Sequence, residues 1–325
     1  MGFDTIYGQE KVITYLQKNL KQGLIQSSYI FEGPNSVGKK LTALTFAKAL
    51  NCSGEKLICD ECDACLRINK GLFYELRLIK PEEAGKQIKI NTIRDVINFV
   101  SLRVMAGKYK VIIFEDADHL NEEASNALLK TLEEPKGDTV FIFITTNASK
   151  LLPTIISRSV KLRFFPLTDD VMIEVLKEKY NIPEERGKIL ARLSSGSIEK
   201  ALYYDDEKVL SYRKFVVNEL IKIVKGDKIA AFELAEELAK NKEEIENVLK
   251  LFKSWLYDIA KQIICGYNHN LVNEDLKSET ELSISENLFK EPYRFYKEIE
   301  ITIGQISRNA NKKLALESLF LNLRG

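Results

Sequence analysis

No run of apolar residues in the sequence approaches the ~20 that a helix needs to cross a bilayer, which excludes a helical membrane span. Net charge is also nearly absent. The 48 Lys and Arg against 47 Asp and Glu leave +1 over 325 residues, which excludes a globally basic binder of nucleic acid but not a local basic patch. The opening stretch, MGFDTIYGQEKV, lacks the charged-then-apolar order of a secretion signal, so the expected location is the cytoplasm. There is no internal repeat and no low-complexity tract. Cysteine is scarce, and four of the five fall between positions 52 and 65. With 45% hydrophobic residues the chain has enough apolar material for a core without disulfide staples. Clustered cysteines with no export signal read as metal binding before disulfide.

What is present divides along the chain. Residues 1–165 carry 23 basic against 19 acidic side chains, and residues 166–325 carry 25 against 28. In the first part, 28–33, 110–115, 139–146 and 160–164 read as strands. Two of these are almost wholly apolar, the mark of strands buried on both faces. They alternate with helical patterns at 39–50 and 121–134, the latter opening on Asn121 and stopping before Pro135. Such alternation predicts a parallel sheet covered by helices. After Pro166 the pattern turns helical: 168–180, 184–194, 197–204, 207–225, 228–241, 243–266, 284–305 and 309–323, with 267–283 read as a loop. The expected domains are 1–165 (α/β), 166–205 (small and helical) and 206–325 (all helical).

Residues Gly33-Pro34-Asn35-Ser36-Val37-Gly38-Lys39-Lys40 lie between a predicted strand and a predicted helix and fill seven of the eight slots of the P-loop pattern G-x-x-x-x-G-K-[ST]. The glycines let backbone N–H groups wrap a phosphate, and Lys39 would reach the terminal phosphates. ATP with Mg²⁺ is the ligand such a loop takes. Lys40, however, stands where a hydroxyl should ligate the metal, and the alternatives of weak or no nucleotide binding stay open. The apolar strand Val111–Phe114 ends in Glu115-Asp116, the two acids of a Walker B segment in reversed order. Misplacement by ~1 Å can cost ~100-fold in rate, so the pair is expected to hydrolyse ATP badly.

Cys52, Cys59, Cys62 and Cys65 have the spacing C-x6-C-x2-C-x2-C. Four thiolates close a tetrahedral zinc shell and make the site structural. Unligated thiols and an iron–sulfur or redox role are the rivals, although the bacterial cluster spacing differs and no Pro follows Cys65. Cys265, beside Ile263 and Ile264, reads as core.

These features together resemble the clamp-loader branch of the AAA+ ATPases, most nearly the delta-prime subunits of bacterial DNA polymerase III. The resemblance covers the whole chain. It rests on Ile6-Tyr7-Gly8-Gln9, the P-loop, the four cysteines after its helix, the highly specific run from Asn126 to Pro135 (NALLKTLEEP), Thr145-Thr146-Asn147 and Ile156-Ser157-Arg158-Ser159. It implies an α/β P-loop (AAA+) domain with a parallel sheet, then a small helical lid domain and an all-α collar domain. Arg158 would be an arginine finger acting in trans on a neighbour's ATP site, where Thr146 and Asn147 correspond to sensor 1. The family's Cys after that Arg is here Ser159. The sensor-2 pattern G-S-x-R reads Gly196-Ser197-Ile198-Glu199, an acid in place of the Arg that touches ATP.

Lys40, the Glu115-Asp116 reversal and Glu199 all weaken the chain's own ATP site, whereas Arg158 survives. The implied role is a subunit with absent or weak ATPase activity in a polymerase holoenzyme. It would work in a hetero-pentamer with motor ATPase subunits and delta, loading the sliding clamp onto primer–template DNA. The alternative is an active motor subunit, against which the chain's ending at Gly325, after the collar, is expected to count. Arg94, Arg103, Lys108 and Lys110 are a candidate basic patch near DNA. Trp255, Tyr257, Tyr293, Phe295 and Tyr296 are candidate interface anchors, most of them expected in the core.

Overall fold

The computed structural model describes residues 2–83, 86–135, 137–240, 242–266 and 271–323, without the side chains of 242–244. The chain forms two compact units, one of residues 1–175 with 196–198 and the other of 176–195 with 199–325.

The first unit alternates strands and helices in the order α1 (Glu10–Gln22), β1 (Ser28–Glu32), α2 (Lys39–Asn51), α3 (Asp63–Asn69), β2 (Leu76–Ile79), α4 (Ile90–Ser101), β3 (Lys110–Phe114), α5 (Glu122–Glu133), β4 (Thr139–Thr145), α6 (Pro153–Ile156) and β5 (Val160–Arg163). The five strands are parallel in the order β2-β3-β4-β1-β5. Side chains alternate across a strand, so an all-apolar strand feeds two cores. Tyr29, Phe31, Val111, Ile113, Val140, Ile142 and Ile144 pack on α1, α2 and α3. Ile30, Ile112, Phe114, Phe141 and Phe143 pack on α4, α5 and α6. Phe114 and Phe143, paired across the ladder, stack with centroids 5.0 Å apart.

The edge strand β2 is absent from the sequence reading, because its LRLI carries an Arg and only one flank is paired. Helices α1 and α4 were likewise not read, although each has a clear apolar face.

Helices α7 (Asp169–Tyr180), α8 (Glu184–Ser194) and α9 (Ile198–Tyr204) follow, then α10 (Glu207–Lys225), α11 (Lys228–Ala239), α12 (Lys242–Cys265), α13 (Lys277–Ser285), α14 (Pro292–Ser307) and α15 (Lys312–Asn322). No described helix is long and apolar enough to cross a membrane. The last six surround one core centred on Trp255, Phe252, Phe289 and Phe320. The Trp255 indole donates to Thr280 Oγ1 at 2.9 Å.

Two expectations fail here. The loop read at 267–283 contains α13; residues 267–270 lie outside the described residues, and beyond them the Asp258 carboxylate accepts the Val272 and Asn273 N–H groups at 3.0 and 2.8 Å and ties the turn to α12. Cys265 is exposed, as are Ile263 and Ile264, because the last turn of α12 runs past the bundle core. Of the aromatic anchors, Trp255 and Phe295 are buried, Tyr296 is half-buried, and Tyr257 and Tyr293 are exposed.

Candidate nucleotide site and metal centre

The P-loop joins β1 to α2 at the carboxyl edge of the sheet, where α/β folds place ligands. Its shape demands glycine at two positions. A Cβ on Gly33 would lie 2.4 Å from the Phe164 carbonyl oxygen, and Gly38, at φ +95, caps α2 in the left-handed region. Gln9, 3% exposed, braces the loop from outside. Its amide donates to Val37 O at 3.2 Å and Phe165 O at 2.8 Å and accepts from Phe165 N at 3.2 Å. That gives the Ile6–Gln9 motif a structural task which its sequence did not disclose.

Lys39 is buried, and its ammonium donates to the loop's own carbonyls at Gly33 and Pro34, 2.5 Å to each. Burial lowers its pKa, against the opposing charges of Asp118 and Asp116. Lys40 Nζ lies 2.9 Å from Glu115 Oε1 at the end of β3. Asp116 is exposed in the left-handed region at φ +51 and opens the turn Ala117–His119. Thr146 donates its hydroxyl to Asp118 at 2.6 Å, and the hydroxyl of Thr145, at the end of β4, also donates to Asp118. Asn147 accepts from the N–H and hydroxyl of Ser149 at 2.9 and 2.8 Å.

The loop 33–40, the acids 115–116 and residues 146–147 thus sit at the carboxyl ends of β1, β3 and β4, as their motifs require. Asp118, not singled out in the sequence, joins the last two of these groups. Burial raises its pKa, but the bonds from Thr145 and Thr146 and the charge of Lys150 outweigh that and hold it below the usual carboxylate range. Its signal was its place two residues past the Walker B acids. Glu32, closing β1, plays a similar part by accepting Ala148 N at 2.9 Å and pairing with Lys161 at 2.8 Å.

Arg158 lies at the opposite edge. It follows α6 and precedes β5, and Ser159 Oγ meets Ser28 Oγ, at the start of β1, at 2.6 Å. The five residues of β1, at ~3.3 Å each, separate it from the chain's own P-loop. Arg158 is partly exposed, donates to Thr154 O at 3.0 Å and pairs with Glu133 at 2.5 Å. Glu199 is exposed in the first turn of α9.

The four clustered cysteines converge, all sulfurs lying within 4.8 Å of one another. Cys52 and Cys59 are 3.5 Å apart. A tetrahedral zinc–thiolate shell separates its sulfurs by about 3.8 Å, so the donor set fits zinc. Cys59 Sγ accepts Cys62 N at 3.3 Å, and Cys52 Sγ accepts Gly54 N at 3.4 Å. Backbone N–H groups of Glu61 and Cys62 lower the Cys59 pKa, favouring the ligating thiolate.

Residues 8–168 match the family described as DNA polymerase III, delta subunit. The chain is 36% identical over 216 residues to the DNA polymerase III subunit delta′ of Pseudomonas aeruginosa, covering 64% of each. It is 32% identical over 231 residues to the tau/gamma subunit of Haemophilus influenzae, covering 69% of this chain and 33% of that one. The matched part, residues 8–168, is of the clamp-loader AAA+ kind. The chain spans about a third of the length of the tau-type relatives it matches. A DNA polymerase III gamma subunit-related protein from Thermotoga maritima aligns over 95% of this chain and 98% of that one, at 20% identity and a TM-score of 0.48.

The basic patch is smaller than expected. Lys110 is 1% exposed and donates to Phe99 O at 2.8 Å, to Val100 O at 3.1 Å and to Leu102 O, capping the end of α4. It is a structural cation, spent on these carbonyls.

Proposed function

We propose that the chain is a delta-prime-type subunit of the clamp loader that does not turn over ATP itself and supplies Arg158 in trans to the ATP site of a neighbouring motor subunit. It works in a hetero-pentamer with motor ATPase subunits and delta that loads the sliding clamp onto primer–template DNA. Within it, 166–205 serves as the helical lid and 206–325 as the collar segment. The cysteine cluster holds a structural zinc.

One observation carries the reading. Arg158 sits on an exposed turn a full strand length from its own P-loop, so any phosphate it meets belongs to another chain. Lys40, Glu115 and Glu199 support the loss of turnover in cis. A finger of this kind stabilises charge on the transferring phosphoryl group and is worth roughly 10³–10⁵ in rate. The test is Arg158→Ala in a loader reconstituted from all its subunits. ATP hydrolysis is expected to fall by about 10³ at the neighbouring site while the subunits still co-purify. Unchanged turnover sinks the proposal, as does multiple-turnover hydrolysis by the purified chain that Lys39→Ala abolishes.

A further inference from the structure

We infer that the ammonium of Lys40, held by Glu115, takes the place of the divalent cation in this P-loop, so that the site admits no Mg²⁺. The inference rests on reading residues 33–40 as a nucleotide loop, and on the geometry around it. An active loop offers a hydroxyl from the residue after its lysine and a carboxylate from the end of the Walker B strand, with the metal between them. Here those two positions hold Lys40 and Glu115, and their charged groups meet directly at 2.9 Å. The cation between loop and strand is therefore covalent to the chain.

The remaining acids do not rebuild a metal site. Asp118 spends its carboxylate on the hydroxyls of Thr145 and Thr146 and lies 3.9 Å from the Lys150 ammonium. Asp116 is turned into an exposed left-handed corner. Among the described residues the four cysteines alone form a group of three or more metal-ligating side chains. A divalent ion entering here meets an ammonium at the position of its first protein ligand, where like charges repel. The fold's metal thus does not fit these residues.

The experiment titrates a fluorescent ADP analogue into the purified full-length chain, in buffer with and without Mg²⁺ and without chelator, so that the cysteine site keeps its metal. The wild type is expected to show the same response in both buffers, whether or not that response includes binding. Lys40→Thr, alone and combined with Glu115→Asp, is expected to bind at least about tenfold more tightly with Mg²⁺ than without. Lys40 is half-exposed, and a circular dichroism melt confirms that the variants fold. A wild type that tightens tenfold on adding Mg²⁺ overturns the inference. So do folded variants that gain no Mg²⁺ dependence, because the ion pair is then not what keeps the metal out. Neither result bears on Arg158, whose role is read from loader turnover; a wild type that binds Mg²⁺·nucleotide but hydrolyses nothing overturns only the metal exclusion.

Discussion

Arg158 and Glu133 face each other at 2.5 Å, joining the end of α5 to the turn after α6. Both sit in the motifs that carry the family likeness. The pair holds the guanidinium on its own chain, and in the proposed role a neighbour's phosphate would compete with the Glu133 carboxylate for it. Exposed ion pairs are worth about 0–1 kcal/mol, so the competition is mild. Glu133→Gln is expected to raise loader turnover at subsaturating ATP by up to about fivefold, with the melting temperature of the chain unchanged. A fall in turnover would instead mean that Glu133 aims the finger.

The sequence made the centre of the site legible because its chemistry is local. Gly33 to Lys40, Cys52 to Cys65 and Asn126 to Pro135 are contiguous strings, and β3 and β4 announce themselves by being apolar on both faces. What it hid depends on distant partners. Asp118 gains meaning from hydroxyls that the end of β4 brings from 27 and 28 residues away. The bond between Lys40 and Glu115 spans α2, α3, β2, α4 and β3, so both residues read as isolated departures from motifs. Strand β2 escaped notice because an edge strand can keep a residue like Arg77 outside, where it lies 4.3 Å from the Phe99 ring. Lys110 passed for surface charge because nothing in a strand pattern says that its first residue reaches the end of a helix.

The cysteine centre is expected to carry one zinc per chain. Metal analysis of Cys62→Ser should show at least a tenfold loss of metal retention, since the site then keeps three thiolates. Cys62 is only partly buried at the margin of the sheet core, so far-ultraviolet circular dichroism of the variant should remain close to wild type while the 52–69 segment becomes sensitive to protease. Full zinc retention in Cys62→Ser would remove this residue from the ligand set.

Asp118 makes the P-loop edge of the sheet sensitive to acid. Its folded pKa lies below the unfolded value, so its stabilisation is present above the unfolded pKa of about 3.9 and is lost as pH falls through the folded value. Asp118→Ala removes the acceptor of two hydroxyls and should cost about 2 kcal/mol at neutral pH. The difference in melting temperature between wild type and variant should be constant from neutral pH down to roughly 5 and should shrink below 4. A difference that persists unchanged in acid would assign the loss to packing and remove the charge from the account.

Lys108 and Lys110 are two residues apart in sequence and separate the DNA question from the folding question. The Lys110 ammonium closes the end of α4 on the carbonyls of Phe99, Val100 and Leu102, while Glu75, fully buried, accepts the N–H groups of Met105 and Ala106 at 2.8 Å each. Together they hold the 102–109 loop against the edge of the sheet. Lys110→Met keeps the apolar stem but orphans several helix-end carbonyls, and a charge-assisted cap of this kind is worth about 2–3 kcal/mol. The variant should therefore melt lower by chemical denaturation. Lys108→Met should leave stability within about 0.5 kcal/mol, because only the Lys108 backbone N–H, which donates to Asn51 at 2.9 Å, is bound here. If the basic surface meets duplex DNA in the loader, the salt dependence of DNA binding should weaken in Lys108→Met and stay as it is in whatever fraction of Lys110→Met folds. The reverse pattern would return Lys110 to the patch.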